Sequence, residues 1–473
     1  MQVTSMFFKQ TASMKLNDPV LQAALQKAKG KFVDGRARSL VDLDNFEDIR
    51  TAAAAIRDRC LANLDAYLLE FEANAIRRGA QVHWAESAAE ANRIVLDIAR
   101  SNGVRKITKS KSMVSEEIGL NDELAAIGVQ AVETDLGEYI LQLANEPPSH
   151  IVAPAVHKSR EDVADLFVAH HHKPRLTEIP AMTREAREEL REHFLTADMG
   201  ISGANFVIAE TGTTLTVTNE GNADMVTTLP RIHCVVTGIE KVIPTLEDFA
   251  TLIRLLPRSA IGQSIANYLT LTTGVKAPDE NEGPEQMHIV LIDAGRTKFI
   301  GTDMQSMLRC IRCGACMNHC PVYQNVGGHA YGWVYPGPMG AVLTPTYVGI
   351  ENAGDLPNAS TFCGECTVVC PVKIPLPDLM RKLREKQFDR KLRPLGERAA
   401  MAAWAFAVRR PALYALLSRV GARFAALLGG RTGIIHRLPG LDGWTDGRDM
   451  PAPEGRTFRE LYRARRDGAK SRP

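Results

Sequence analysis

The sequence lacks the glycine patterns that bind nucleotides. Neither GxGxxG, which is typical of dinucleotide-binding folds, nor the phosphate-binding loop GxxxxGK[ST] occurs in the 473 residues. A helix-turn-helix, a finger motif and an aromatic RNA-binding motif are missing as well. The sequence therefore supports neither a nicotinamide site nor an ATP site, and we expect no binding to nucleic acid.

Long apolar runs are also missing. The N-terminal MQVTSMFFKQTASMKLND has neither an apolar core segment nor a small-residue cleavage site, so we expect no secretory signal. No run reaches the roughly 18 uncharged apolar residues that cross a bilayer, and the best candidate, residues 401–408, is followed by Arg409 and Arg410. We therefore expect a cytoplasmic protein without a transmembrane segment, and leave open a peripheral attachment to a membrane.

The formal net charge of +2 hides an uneven distribution. Residues 381–473 carry 22 Lys and Arg against 9 Asp and Glu, a net charge of +13, and residues 1–380 carry a net charge of −11. A basic tail of this kind fits an acidic partner, an anionic lipid surface or a merely solvated face.

Cysteine, by contrast, is concentrated in one place. Seven of the nine cysteines lie within residues 310–370, in two runs that each end in Cys-Pro. The first run reads CxxCxxCxxxCP, which is the pattern of bacterial two-cluster ferredoxins, where the fourth cysteine of one run binds the cluster of the other. The ligands predicted for a first [4Fe-4S] cluster are Cys310, Cys313, Cys316 and Cys370. Those predicted for a second cluster are Cys320, Cys363 and Cys366.

The second set is one thiolate short of four. A full second run would have a cysteine three residues before Cys363, where this sequence has Ser360. The second centre is then a [3Fe-4S] cluster, or a [4Fe-4S] cluster whose last iron takes Ser360, another side chain, water or a group from a partner. His329 is the better histidine candidate for that corner, ahead of His319, although a Rieske pattern is missing.

Two other uses of the cysteines are less favoured. A structural zinc site uses two separated cysteine pairs, whereas three cysteines at three-residue steps followed by Cys-Pro suit the corners of a cube. Disulfides are disfavoured because seven clustered thiols cannot pair evenly and no secretory signal precedes them. Cys60 and Cys234 stand apart, and we expect them to be buried and inert.

The pattern along the chain divides it into four regions. Residues 1–80 read as helical, with one long helix starting at an Asn45 cap and ending near Gly79. Residues 81–297 alternate strand and helix, which predicts an α/β domain around a mostly parallel sheet. Residues 300–380 form the predicted two-cluster ferredoxin-type domain, and residues 381–473 a basic helical C-terminal region. Between the cysteine runs, Tyr331, Trp333 and Tyr335 are placed to shield clusters from water.

Two short segments of the α/β domain are candidates for binding a small anion. Lys109 and Lys111 lie between a strand and a helix, where backbone N–H groups favour an anion, although Glu116 and Glu117 compete for the same positive end. Glu210 follows the strand FVI, and open α/β sheets bind ligands at the carboxyl ends of their strands. An ordinary helix cap and a glycine turn explain the two segments equally well.

Four motifs together resemble one family over almost the whole chain. They are AETGTTLTVTNEG in the α/β body, LRCIRCGACMNHCPVY, the loop YGWVYPGPMGAVLTP, and FCGECTVVCPVKI. The chain is similar to the lactate-utilisation iron–sulfur proteins, the B component of a three-protein bacterial system for L-lactate oxidation. The resemblance implies an α/β body similar in fold to sugar-phosphate isomerases and CoA transferases. It also implies two [4Fe-4S] clusters on the seven cysteines already named.

The function that the resemblance implies is electron transfer during oxidation of L-lactate to pyruvate. The chain would act with the other components of the lactate-utilisation system and pass electrons to a quinone or another carrier, as an electron-transfer subunit rather than a complete enzyme. An alternative is a hydroxy-acid oxidoreductase whose own small-anion site holds Lys109, Lys111 and Glu210. A third is a sensor whose open-cornered cluster reports iron or oxygen.

Overall fold

The computed structural model describes residues 2–470, apart from residues 439, 441 and 446. The chain divides into two compact units, a larger unit of residues 1–387 and a smaller unit of residues 388–473. The finer division into a helical region, an α/β domain and a cluster domain stays a prediction.

The larger unit begins with a 3-10 turn, Ser5–Phe7, and four helices. These are α1 (Phe8–Leu16), α2 (Pro19–Leu40), α3 (Phe46–Ala62) and α4 (Leu64–Arg77). Helix α2 starts at Asp18, whose carboxylate accepts a hydrogen bond of 3.0 Å from the N–H of Leu21. The prediction of one helix up to Gly79 is wrong, because the chain breaks at Asn63. Asn45 precedes α3 as expected, but its side chain makes no capping hydrogen bond.

The strands of residues 80–292 form two sheets. They are β1 (Ala80–Ala85), β2 (Lys106–Lys109), β3 (Gln130–Glu133), β4 (Met199–Ser202), β5 (Phe206–Ile208), β6 (Thr213–Thr218), β7 (Ile232–Gly238), β8 (Val242–Ile243), β9 (Tyr268–Thr272) and β10 (Gln286–Ile292). One sheet has six strands in the order β1-β10-β7-β4-β2-β3, and all its pairs are parallel. The predicted parallel sheet is thereby confirmed.

The second sheet has four strands in the order β8-β5-β6-β9. Strand β5 pairs with β6 in antiparallel fashion, and the turn between them contains Gly212 with a φ of +68°. The left-handed φ favours glycine. A Cβ atom at Gly212 would also lie 2.3 Å from the backbone nitrogen of Ala75 on α4. This turn therefore packs closely against α4 and fixes the second sheet beside the N-terminal helices.

Helices cover the parallel sheet, as expected for strands that are buried on both faces. The helices of residues 88–261 are α5 (Ala88–Ser101), α6 (Met113–Glu117), α7 (Leu120–Ala126), α8 (Leu136–Ala144), α9 (Arg160–His171), α10 (Ile179–Thr196), α11 (Asn222–Thr228), α12 (Leu246–Ile253) and α13 (Leu256–Ile261). Of these, α12 and α13 pack against β5 and the N-terminal helices instead. Every residue of β7 is buried, so this central strand has no solvent face.

The region of the cysteine runs is built from short helices and turns. Its helices are α14 (Ala315–Asn318), α15 (Tyr323–Val326), α16 (Gly337–Tyr347), α17 (Glu365–Val368) and α18 (Leu376–Asp389), with 3-10 turns at Thr297–Phe299, Gln305–Arg309, His329–Tyr331, Ile350–Asn352 and Leu356–Asn358. Tyr331, Trp333 and Tyr335 are buried in this region. A helical cluster-type region beside an α/β body agrees with the predicted fold class.

One hydrophobic core joins the three regions of the larger unit. Leu25 of α2, Phe206 of β5 and Tyr331 of the loop between the cysteine runs belong to the same cluster of buried side chains. Arg57 of α3 is 1% exposed and donates hydrogen bonds of 3.0 Å to the carbonyl oxygens of Val242 and Leu308. The N-terminal helices are thus tied to the second sheet and to the chain just before the first cysteine.

The smaller unit is mostly helical in its described part. Its elements are α19 (Leu395–Val408), α20 (Pro411–Gly429), β11 (Ile434–Ile435), α21 (Asp442–Thr445), β12 (Met450–Pro451) and α22 (Phe458–Lys470). Helix α20 is long and apolar enough to cross a membrane by length and composition alone. Within its most apolar stretch of 18 residues, 6% is buried. It is a stronger candidate than residues 401–408, although core helices of other proteins pass the same test.

Candidate iron–sulfur centre

The two cysteine runs fold in the same way. In each run a residue other than glycine with a left-handed φ, Arg312 at 59° or Phe362 at 55°, precedes a cysteine. A glycine with a left-handed φ then follows that cysteine, Gly314 at 78° or Gly364 at 86°, and opens a four-residue helix. Aligned on this geometry, Ser360 of the second run takes the place of Cys310 of the first.

The thiols of the first predicted set are neighbours. Burial raises the pKa of the Cys313 thiol, and the thiols of Cys370 and Cys310 raise it further. Burial also raises the pKa of Cys316, and Cys310 and Cys313 are its first charged neighbours. Mutual effects of this kind act over a few ångströms. These four thiols, which come from two distant runs, are therefore near one another, and Cys316 also has Cys366 of the other set among its neighbours. Their division into two ligand sets stays a prediction.

The thiols of the second predicted set form another group. Burial raises the pKa of Cys320, and the thiol of Cys363 raises it further. Burial raises the pKa of Cys366 to about 12, and Cys320 and Cys363 add to the shift. Cys363 is exposed, whereas Cys320 and Cys366 are buried. Cys366 also has Cys370 among its neighbours, so the two groups lie side by side.

The donors around these sulfurs suit thiolates. The backbone N–H of Arg312 donates to the Cys310 sulfur over 3.4 Å, and that of Ile374 donates to the Cys370 sulfur over the same distance. All nine cysteines are free thiols. Among the described residues, no three side chains of His, Cys, Asp or Glu lie close enough to hold one metal ion. A set of thiols with N–H donors is the donor chemistry of an iron–sulfur cluster.

Cationic side chains surround the second run. The guanidinium of Arg50 on α3 donates to the carbonyl oxygen of Cys370 over 2.7 Å and to that of Thr367 over 3.2 Å. Arg36 on α2 donates to the carbonyl oxygen of Val369 over 3.4 Å. Both side chains place positive charge beside the thiols, where it stabilises thiolate and any negative charge added by reduction.

A second ionic group lies behind the first run. Arg296 is fully buried, and its guanidinium lies 2.5 Å from a carboxylate oxygen of Glu240 and 2.9 Å from one of Glu117. Arg312 lies 3.3 Å from Glu240 and stacks over the Tyr335 ring at 4.6 Å. Although burial opposes ionisation, Arg296 and Arg312 hold the pKa of Glu240 at about 2. Arg312, the residue before Cys313, is therefore held in place by its ion pair with Glu240.

The two candidate histidines have other partners. His329 donates from Nε2 to the Pro147 carbonyl oxygen over 2.8 Å and packs against His157, and His319 Nδ1 lies 2.9 Å from the Ala315 carbonyl oxygen. A histidine ligand for the second set stays a prediction without support from these contacts. The Ser360 hydroxyl accepts a hydrogen bond of 3.1 Å from the N–H of Phe362. The Tyr331 hydroxyl is buried beside Cys320 and makes no hydrogen bond of good geometry with any described residue. A cluster bound beside Cys320 would supply the hydrogen-bond acceptor that this hydroxyl lacks.

The residues predicted to bind an anion have different surroundings. The ammonium of Lys109 is 1% exposed and lies 2.8 Å from Glu116 and 2.6 Å from Glu133, so it is neutralised within the fold. Glu210 accepts a hydrogen bond of 2.6 Å from the N–H of Leu246 at the start of α12. Lys111 lines a cavity of which neither Lys109 nor Glu210 is a part. The structure thus does not bring the three predicted residues together at this cavity.

The cavity that Lys111 lines holds about 260 Å³. Its walls come from the chain after β2, β4 and β6, from α13, and from the first cysteine run, including Arg312 and Cys313. Lys241, which follows β7, also lines it. The strand ends were a valid signal in the sequence, since open α/β sheets bind ligands there. Lys241 itself was missed because it lies within the segment HCVVTGIEKVIP, which reads as one strand.

Comparisons with known proteins cover all parts of the chain. The LUD domain family matches residues 68–292, a 4Fe-4S dicluster domain matches residues 306–374, and the family described as lactate utilisation protein B, C-terminal, matches residues 380–467. A crystal structure of a DUF162 family protein from Deinococcus radiodurans covers 48% of this chain at 14% identity, with a TM-score of 0.28 that is too low to support an inference.

Two relatives match over nearly their full length. Lactate utilization protein B of Oceanobacillus iheyensis is 43% identical over 465 residues, which cover 98% of this chain and 97% of the relative. The protein of the same name from Lysinibacillus sphaericus is 42% identical over 472 residues, which cover 99% of each chain. Identity at this level, spread over the α/β body, the cysteine runs and the basic tail, places the chain in the lactate utilization protein B family.

Proposed function

We propose that this protein is an iron–sulfur electron-transfer subunit in the oxidation of L-lactate to pyruvate. The observation that carries the proposal is the pairing of thiols across the two runs, Cys370 with Cys310 and Cys313, and Cys320 with Cys363 and Cys366. Two adjacent thiol groups in one unit suit a relay, in which charge enters at one centre and leaves at the other.

Each group of residues has a part in this relay. Cys310, Cys313, Cys316 and Cys370 hold the first cluster, and Cys320, Cys363 and Cys366 hold the second, whose remaining position takes Ser360 or a group from outside the chain. Iron–sulfur clusters supply reversible one-electron transfer when they are bound.

The side chains around the thiols set the conditions for transfer. Arg36 and Arg50 supply positive charge beside the second run, which favours the reduced and more negative state. The buried rings of Tyr331 and Tyr335 exclude water from the first run. The exposed thiol of Cys363 brings the second centre to the surface, where a partner carrier can approach it.

The partners are the other components of the lactate-utilisation system and an acceptor such as a quinone or another carrier. The names of the relatives support the lactate system, and the family matches support an iron–sulfur role. Cytoplasmic localisation stays a prediction. The basic smaller unit, with helix α20, is the part of the chain to test for peripheral attachment to a membrane.

A second candidate function is a hydroxy-acid oxidoreductase with its own anion site in the α/β body. The cavity lined by both Lys111 and Cys313 favours it, because a ligand there would lie beside a thiol of the first set. Purified protein given lactate and an artificial electron acceptor separates the two functions. Turnover without partners supports the oxidoreductase, and turnover only in the assembled system supports the subunit.

Electron paramagnetic resonance of anaerobically prepared protein, oxidised and then reduced, tests the relay. We expect two centres, with iron and acid-labile sulfide in the protein. Cys370→Ser should damage the first centre although it lies in the second run, and Cys363→Ser should damage only the second centre. Zinc in place of iron and sulfide, or loss of the second signal alone in Cys370→Ser, would overturn the assignment.

A further inference from the structure

The 260 Å³ cavity has the place and size of a binding site for a small ligand. It lies where the chain leaves the carboxyl ends of β2, β3 and β4 of the parallel sheet, the edge at which open α/β sheets bind ligands, and β6 of the second sheet lines it as well. Sites for drug-sized ligands measure about 300–1,000 Å³, so this cavity suits a smaller molecule. The larger unit supplies all of its walls.

Lys241 gives the cavity a positive charge that no ion pair matches. Its acidic neighbour Glu240 is already paired with Arg296 and Arg312. Lys241 is 6% exposed, and in the described part of the chain its ammonium makes no hydrogen bond and no ion pair. This separates it from Lys109, which is matched by two carboxylates within 2.8 Å. A buried ammonium without a partner costs free energy unless an anion accompanies it. Arg312 adds a second positive charge to the same wall.

Other polar groups on the walls are free to bond a ligand. Ser110 is 3% exposed and Asn222 is 6% exposed, and the Ser110 hydroxyl and the Asn222 amide oxygen have no hydrogen-bond partner among the described residues. Lys111 uses one donor, to the carbonyl oxygen of Val152 over 2.8 Å, which leaves its ammonium two more. Buried polar atoms are normally paired, so these gaps mark a place for polar ligand atoms.

The cavity also has an acidic side. Asp135 and Glu220 line it, but both already accept hydrogen bonds at the start of α8, Asp135 from Gly137 over 3.1 Å and Glu220 from Leu136 over 3.1 Å. Lys111 is a charged neighbour of Glu220, whereas Lys241 has Arg312 and Glu240 as charged neighbours. A ligand with a carboxylate at one end matches this division, since at its other end a hydroxyl can donate to a carboxylate and a keto oxygen can accept from the Lys111 ammonium.

We propose that this cavity binds a short hydroxycarboxylate or oxocarboxylate anion, with the Lys241 ammonium as the charge partner of the ligand carboxylate. The choice of that chemical class rests on the proposed function, whereas the anion site rests on the cavity and on Lys241. Because Cys313 is in the same wall, the bound anion lies beside the first cluster.

Isothermal titration calorimetry on anaerobically prepared, cluster-loaded protein tests the proposal. The probes are L-lactate, pyruvate and the uncharged analogue lactamide. We expect saturable binding of the two anions and none of lactamide. Lys241→Gln should weaken binding about tenfold or more, because a charge-assisted hydrogen bond is lost. The matched control is Lys298→Gln, an exposed lysine outside the cavity, which should leave the dissociation constant unchanged.

A second measurement needs no variant and so does not depend on whether Lys241→Gln folds. Addition of L-lactate should change the electron paramagnetic resonance line shape of the first centre, and lactamide should not. Absence of binding to protein that carries both clusters, or equal binding of lactamide, overturns the site and leaves the relay standing. Loss of the clusters themselves would instead count against the proposed function.

Discussion

Arg50 and Cys370, which are 320 residues apart in the sequence, are joined by two hydrogen bonds. Nη2 of Arg50 donates to the carbonyl oxygen of Cys370 over 2.7 Å, and Nε donates to the same oxygen over 3.0 Å. Helix α3 thus holds the last cysteine of the second run in place. That cysteine is also the one predicted to cross to the first thiol set.

Arg50→Met should destabilise the protein by about 2–3 kcal/mol, because buried carbonyl oxygens lose a charged donor. The same change should speed the loss of the first centre in the presence of an iron chelator. Denaturant midpoints and the decay of cluster absorbance, both measured without air, check the two effects. Arg93→Gln is the control, since Arg93 is exposed and pairs with Glu90 over 3.1 Å at the surface. Equal stability of the two variants would contradict the role given to Arg50.

Tyr331→Phe should lower the midpoint potential of the second centre. The buried hydroxyl beside Cys320 is placed to donate a hydrogen bond to cluster or thiolate sulfur, and such a bond favours the reduced state. A bond of about 1 kcal/mol corresponds to about 40 mV for one electron. Redox titration followed by electron paramagnetic resonance measures the shift for each centre.

The matched control for that experiment is Tyr347→Phe. The Tyr347 hydroxyl is also buried without a partner among the described residues, but its charged neighbours are Arg296 and Glu240 rather than thiols. The second centre should keep its potential in this variant. A second-centre shift of the same size in both variants would show that the hydroxyl of Tyr331 has no specific effect.

Lys109→Met should destabilise the protein by about 3–5 kcal/mol, since it leaves Glu133 buried with its charge uncompensated. Replacing the carboxylate as well, in Lys109→Met with Glu133→Gln, should recover part of the loss. Chemical denaturation of the single and double variants measures the coupling. Lys106→Met, on the same strand but hydrogen-bonded only to the Thr196 hydroxyl over 2.9 Å, is the control and should change stability little. No recovery in the double variant would contradict the ion pair.

Glu220 should make stability depend on pH. Burial, and then the charge of Asp135, raise the pKa of Glu220 from 4.5 to about 7. The folded state holds this proton more tightly than the unfolded chain, so the contribution is fully present below pH 4.5 and is lost as the pH rises through about 7. The loss should reach about 2–3 kcal/mol. Unfolding midpoints from pH 4.5 to 8 should therefore fall less steeply in Glu220→Gln, and identical slopes would contradict the shift.

The parallel sheet and the cysteine runs were predictable because their signals are local in sequence. Alternating strands and helices predict parallel pairing, and three-residue cysteine steps predict a cluster. The second sheet was not predicted, although the strand FVI and a glycine turn after it could be read from the sequence. Its pairs β5–β8 and β6–β9 join segments that lie far apart along the chain. The close approach to Ala75 that requires glycine at position 212 is likewise visible only in three dimensions.

The anion site shows the same limit more sharply. Lys109 was a reasonable candidate from its position at the end of β2, but Glu133, which neutralises it, comes 24 residues later on the neighbouring strand. Lys241 carried no signal, because having no partner is a property of the folded chain. Spacing in the sequence identifies residues that lie close together along the chain, such as the cysteines of one run. It does not show which charged side chains are paired with an opposite charge in the folded protein.

Arg57 reaches the second sheet and the chain before the first cysteine at once, and the hydrophobic core is continuous across both. The cysteine-bearing segment is therefore not an independent domain that gene fusion could transfer unchanged to another protein. Cut free, residues 300–380 would expose the faces that now meet α2, α3 and β5.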